Sequence, residues 1–180
     1  MNRIAPFDPA QANGKTKQLF DSVHAKLGVV PNLFRMLGNA PAALEGYLRF
    51  CGALAGGSLD GRVREQIALT VAESNMCSYC LSAHTYLAAK VGLTQSDIVS
   101  AIHAAAVTAK TDSILKLARS IVVQRGEVSD SDLERARSGG LTDGEIVETI
   151  ANVALNIFTN YVNHVARTLV DFPEVKPGQA

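Results

Sequence analysis

No stretch of this 180-residue sequence holds the run of about 18 or more apolar residues that a membrane-spanning helix needs. Its opening, Met1 to Lys17, has no apolar h-region and no cleavage pattern, so no signal peptide is read there and the expected compartment is the cytoplasm. There is also no surplus of charge. Lys plus Arg and Asp plus Glu each total 17, giving a formal net charge of zero. Such a chain lacks the electrostatic footprint for nucleic acid or for an anionic membrane surface. Zero net charge does little to hold copies apart, which fits an oligomer.

Cysteine is scarce. The three residues, Cys51, Cys77 and Cys80, are an odd number in a long chain, which argues against a secreted disulfide framework. In a reducing compartment a close pair of cysteines is more often catalytic or metal-binding than structural. Strand-like alternation is missing as well. What fills the chain is helix-forming sequence, 47% of it apolar, enough for a core without staples.

Punctuation divides that sequence into helices. Residues 1–13, with Pro6 and Pro9, read as an irregular lead-in. A helix is expected from about Lys15 to Leu27, closed by Gly28. A short one follows from Asn32 to Leu37, and Pro41 suits the first turn of a third, running to about Ala55. After Gly56–Gly57–Ser58, a helix capped by Ser58 or Asp60 runs to about Glu73. Ser74–Asn75–Met76 interrupts, and the next helix carries Cys77 to Val91. Thr94 with Asp97 and Thr142 with Glu145 have capping-box spacing. They open helices to about Ala106 and to about Leu169, with Asp112–Gln124 and Ser129–Ser138 between them. The tail to Ala180 reads as frayed. The expected fold class is all-α, a packed multi-helix array in one domain over residues 1–180.

The chemistry lies in Glu65 to His84. Cys77 and Cys80 are three apart and Cys80 and His84 four apart, so on a helix all three share a face. Thiolate is the reactive form of cysteine, and a helix start or an imidazolium lowers its pKa. A thiol pair so spaced supports a two-step cycle: one thiolate becomes a sulfenic acid on meeting peroxide, and its neighbour condenses with it. Glu65 has Ala68, Leu69 and Ala72 as helical neighbours, whereas Arg62, Gln66, Thr70 and Glu73 form a polar stripe. Glu65 is therefore expected to point inward, as a proton-exchanging carboxylate or as half of an ion pair with Arg64.

Other readings of these residues compete. One CxxC could be half a zinc site, but no second CxxC completes it and no metal is expected. The cysteines could be plain core residues. A thioredoxin-like fold would need a strand before the motif, and none is read. His24 reads as surface and His103 as a core or interface residue, with Cys51 as small packing. Asn152, Asn156, Asn160, Asn163 and His164 form a polar ladder on the last helix. It is either a helix or subunit seam or a support for the thiol site.

The pattern Glu65, eleven residues, Cys77, two residues, Cys80, three residues, His84 resembles the signature of the alkylhydroperoxidase-D-like family, within the carboxymuconolactone decarboxylase superfamily. Pro31–Asn32–Leu33–Phe34, Pro41 through Leu54, and Gly92–Leu93–Thr94 look like its peroxidase-related branch. The resemblance is strong over residues 30–105 and weaker beyond. It implies an all-α homo-oligomer, a trimer or hexamer, reducing a hydroperoxide without cofactor, metal or haem at the expense of a dithiol or protein electron donor. It further implies that Cys80 attacks, Cys77 resolves, and His84 and Glu65 relay protons, with Tyr79, Asn160 and His164 as supporting residues. Some members carry His directly before the second cysteine, where this chain has Tyr79. Two rival functions stand beside peroxide reduction: acid–base lactone chemistry of the decarboxylase type, which needs no thiols, and a non-enzymatic redox-sensing oligomer.

Overall fold

The computed structural model describes residues 2–179. Among them it contains nine α-helices, one short 3₁₀ turn at Pro9–Gln11 and no strand. In chain order the helices are α1 Gly14–Leu27, α2 Asn32–Leu37, α3 Pro41–Ala55, α4 Gly61–Ser74, α5 Ser78–Lys90, α6 Gln95–Ile102, α7 Ala109–Val123, α8 Asp130–Ser138 and α9 Asp143–Ala166. The expected all-α array is the observed one. No helix among the described residues is long and apolar enough to cross a membrane.

The helix starts follow the capping chemistry. The Asp60 carboxylate accepts from Val63 N–H at 2.9 Å and caps α4, settling the choice between Ser58 and Asp60. Thr94/Asp97, Ser129/Asp132 and Thr142/Glu145 each form a full reciprocal box at the starts of α6, α8 and α9. Two helices stop earlier than expected. Ala104 and Arg167 adopt left-handed backbone with φ of 57° and 49°, ending α6 at Ile102 and α9 at Ala166. Neither is Gly or Asn, so no local signal marked these stops.

Helix α4 is the axis of the molecule and packs against α5, α6, α7 and α9. Ile67, Leu69, Val71 and Ala72 are fully buried on it. Enclosure on so many sides corrects the expected polar stripe, since Gln66 and Thr70 are buried too. Thr70 Oγ1 donates across to Ala101 O at 2.6 Å, which satisfies the hydroxyl inside the core.

The break between α3 and α4 is tied to α9. The Glu148 carboxylate accepts from Ser58 N–H at 2.9 Å and from Leu59 N–H at 3.1 Å. A Cβ on Gly57 would lie 2.5 Å from Glu148 Oε2, so this approach needs glycine.

The tail is docked rather than frayed. Phe172 packs edge-on against Tyr79 at 5.8 Å and in a tilted arrangement against Tyr86 at 5.9 Å between centroids. Val175 N–H donates to Ser82 Oγ at 2.9 Å, and Gly178 N–H donates to Glu73 Oε1 at 2.8 Å. The segment after α9 thus straps the outside of α5. Sequence gave no periodic signal for it because its contacts are single residues spaced along an extended chain.

Candidate active site

The α4–α5 turn builds the site. Cys77 N–H donates back to Ala72 O at 2.9 Å, and Met76 is left-handed at φ 54°, so the chain reverses within three residues. Cys77 therefore sits outside the helix as the N-cap residue of α5, a correction to the expected helix over Cys77–Val91. Cys80 occupies the first turn, where the free N–H groups and helix dipole favour negative charge. Because α5 folds back along α4, His84 meets Glu65, and His84 Nδ1 lies 2.8 Å from Glu65 Oε2.

All three cysteines are free thiols. Cys77 and Cys80 are each only 2% exposed. The Cys77 thiol donates to the Cys80 sulfur. That bond lowers the pKa of Cys80 to about 6. Burial opposes the shift, while the nearby His84 imidazole, a hydrogen bond from Asn163 and the adjacent Asn160 amide assist it. Cys77 moves the opposite way, raised by its bond to Cys80, by burial and by the Cys80 charge. The two shifts run in opposite directions, so negative charge is favoured on Cys80 over Cys77. Burial pulls the His84 pKa down, but the Glu65 carboxylate, by charge and hydrogen bond, and the Cys80 charge outweigh it, and the net shift is upward.

Arg64 does not pair with Glu65. Its guanidinium donates to Leu59 O at 2.8 Å and Leu54 O at 3.3 Å, leaving Glu65 to His84. The asparagine ladder divides. Asn152 and Asn156 donate to Glu148 O and Asn152 O, both at 2.8 Å, so they satisfy their own helix. Asn163 reaches the site, with Nδ2 at 3.2 Å from Cys80 Sγ. Asn160 Oδ1 accepts from Asn75 Nδ2 at 2.9 Å in the turn before Cys77.

The other expected supports lie further out. His164 is exposed, and its Nε2–H donates to Asn75 O at 2.9 Å, bracing the turn from outside. The Tyr79 hydroxyl is engaged elsewhere, accepting from Leu33 N–H at 3.0 Å. Burial raises its pKa, so it stays a phenol. His103 is exposed at the C-terminal end of α6, which removes the core half of the core-or-interface expectation, because α6 stops before it. His24 is exposed, as expected of a surface residue.

Sequence reasoning missed two neighbours. Asn163 stood in the ladder without being separated from its companions. Tyr47, on α3, packs between Phe34 at 6.0 Å and Phe158 at 6.3 Å. Its hydroxyl donates to Cys51, and the charges of Cys80 and Glu65 reach it. Burial first, and then those groups, push its pKa well up. Cys51 is half-buried beside it, with its own pKa raised by burial. Tyr47 and Cys51 lie four apart on a helix, but nothing in that spacing says which way they face. Among the described residues no three His, Cys, Asp or Glu side chains are grouped to hold a metal ion.

The helical array is similar to that of several solved structures, among them one described as an alkylhydroperoxidase core. A peroxidase-related protein from Ralstonia eutropha JMP134 with that core superposes with a TM-score of 0.84 over 94% of this chain and 92% of its own, at 22% identity. A peroxidase-related protein from Silicibacter sp. TM1040 gives 0.79 over 93% and 92%, at 23% identity. The debrominase Bmp8 gives 0.79 over 94% and 92%, at 15% identity. At these identities the likeness speaks for the fold. Residues 41–122, from α3 through nearly all of α7, match the model of the carboxymuconolactone decarboxylase family. The segment holds Glu65, Cys77, Cys80 and His84. No match is found among curated proteins.

Proposed function

We propose that this protein is a thiol-dependent hydroperoxide reductase that works as a homo-oligomer, with Cys80 as the attacking thiol. The supporting observation is the surroundings of Cys80 Sγ. The Cys77 thiol, the Asn163 amide, the His84 imidazole and the first turn of α5 all favour negative charge on one buried sulfur. A plain core cysteine has no need of such neighbours, and burial alone would raise its pKa.

In the reaction the Cys80 thiolate attacks the terminal oxygen of a hydroperoxide. The S–O bond forms, the O–O bond breaks, and the alkoxide leaves as an alcohol with a proton from the His84 imidazolium. Glu65 holds that imidazole in orientation and supports its charge. The Cys77 sulfur then displaces hydroxide from the Cys80 sulfenic acid. The displaced oxygen leaves as water, taking up the Cys77 proton, and a disulfide remains. An external dithiol or a protein donor reduces the disulfide and is itself oxidised.

The test is peroxide consumption with several dithiol donors, run beside thiol titration. Cys80→Ser should abolish turnover, whereas Cys77→Ser should accumulate a trappable sulfenic acid on Cys80 and fail to cycle. A sulfenic-acid label on Cys77 in Cys80→Ser, with none on Cys80 in the converse variant, would reverse the roles. A double Cys→Ser protein still active on a lactone would move the function to Glu65 and His84 acid–base chemistry. Oxidation that stops at one equivalent would make the disulfide a sensor. The debrominase Bmp8 has been solved with 2,3,4-tribromopyrrole, and bromide released from that compound here, with hydroperoxides left intact, would identify a different electrophile for the same thiolate.

A further inference from the structure

Two buried polar atoms beside Cys80 have no hydrogen-bond partner: Asn160 Nδ2 and Asn163 Oδ1. Asn160 is 0% exposed and Asn163 4%. Unpaired buried amide atoms are costly and rare, so a matched pair in one place calls for a physical cause. Each amide already uses its other end. Asn163 Nδ2 reaches Cys80 Sγ at 3.2 Å, and Asn160 Oδ1 accepts from Asn75 at 2.9 Å. These two contacts fix both side chains with their idle ends within the Cys80 surroundings. One idle end is a donor and the other an acceptor.

We propose that Asn160 and Asn163 form a cradle for the oxygen atom that is transferred to Cys80. This rests on the hydroperoxide-reductase reading above. The terminal oxygen of a hydroperoxide carries one hydrogen and free lone pairs. Its O–H donates to Asn163 Oδ1 while the oxygen accepts from Asn160 Nδ2–H, which brings it up to Sγ. As the S–O bond forms and the O–O bond breaks, that oxygen keeps its hydrogen and becomes the sulfenic acid hydroxyl, held by the same two amides. The alkoxide departs on the opposite side with the His84 proton. Asn160 and Asn163 are thus positioning residues, and the cradle takes any hydroperoxide because it reads only the –OH end.

The test compares two reactions of one thiolate. In a Cys77→Ser background, Asn160→Leu and Asn163→Leu are each measured for sulfenic-acid formation with hydrogen peroxide and with cumene hydroperoxide. Each is also measured for alkylation by iodoacetamide, with both rates corrected to the thiolate fraction from a pH titration. The cradle predicts that sulfenic-acid formation falls by about tenfold or more for both peroxides in each variant, the loss of one well-placed hydrogen bond. It also predicts that corrected alkylation stays within about threefold, because iodoacetamide offers no –OH. Parallel loss in both reactions would mean the asparagines only shape the turn, and would overturn the cradle, as would unchanged peroxide rates. If one variant does not fold, the other carries the same comparison. A Cys77→Ser parent that forms no sulfenic acid with any hydroperoxide would instead overturn the reductase reading.

Discussion

His84 Nδ1 and Glu65 Oε2 lie 2.8 Å apart although nineteen residues and a broken helix separate them in sequence. The pair forms because α5 folds back along α4, and it holds an imidazole charge beside the sulfur of Cys80. Glu65→Gln should therefore lower the His84 pKa, since the carboxylate is what outweighs burial there. It should slow peroxide reduction by about 10²–10⁴-fold, as for loss of a general acid–base partner, without altering the thiol count. An NMR titration of His84 with a kcat/KM profile against pH checks both. The linkage has a definite sign. The folded pKa of His84 is above its unfolded value, so its contribution to stability is present below about pH 6.5 and fades as pH rises through the folded pKa.

For Cys80 the sign is opposite. Its folded pKa is lowered to about 6 from an ordinary 9.0, so its thiolate adds stability that is complete above pH 9 and lost as pH falls through about 6. The reduced protein should gain stability from this group between those limits, and Cys80→Ser should flatten that slope in denaturant titrations. Thiolate absorbance near 240 nm should rise through about pH 6 in the native protein and not in Cys80→Ser. A first rise only near pH 9 would contradict the assignment.

The tail offers a test away from the chemistry. Phe172→Ala removes both ring contacts on α5 and should destabilise the protein by about 2 kcal/mol, given a partly buried aromatic side chain. Urea midpoints at constant slope measure it. An unchanged midpoint would mean the strap is not seated in solution.

Assembly is tested on α9. Val147, Ile150, Phe158, Tyr161 and Val165 are exposed and recur three, four or eight residues apart along its outer side. Sedimentation at micromolar concentration should show species above the 19.1 kDa of one chain. Tyr161→Asp should shift them toward that mass, whereas a wild-type monomer would refute self-association.

What the sequence determined by itself is what local physics controls. Capping pairs, Pro41 and Gly28 act over three or four residues, and they marked most helix ends to within a residue or two. The spacing of Glu65, Cys77, Cys80 and His84 was legible because all four lie within two consecutive helices and the three-residue turn that joins them. The tertiary structure decided what distant packing controls. Asn163 reaches Cys80 across 83 residues of sequence, and Tyr47 arrives from α3. Gln66 and Thr70 look like a solvated stripe and are buried, because α4 is covered on nearly every side. Single contacts spaced along an extended tail carry no period, so the seat of Phe172 on Tyr79 could appear only once the helices had been brought together.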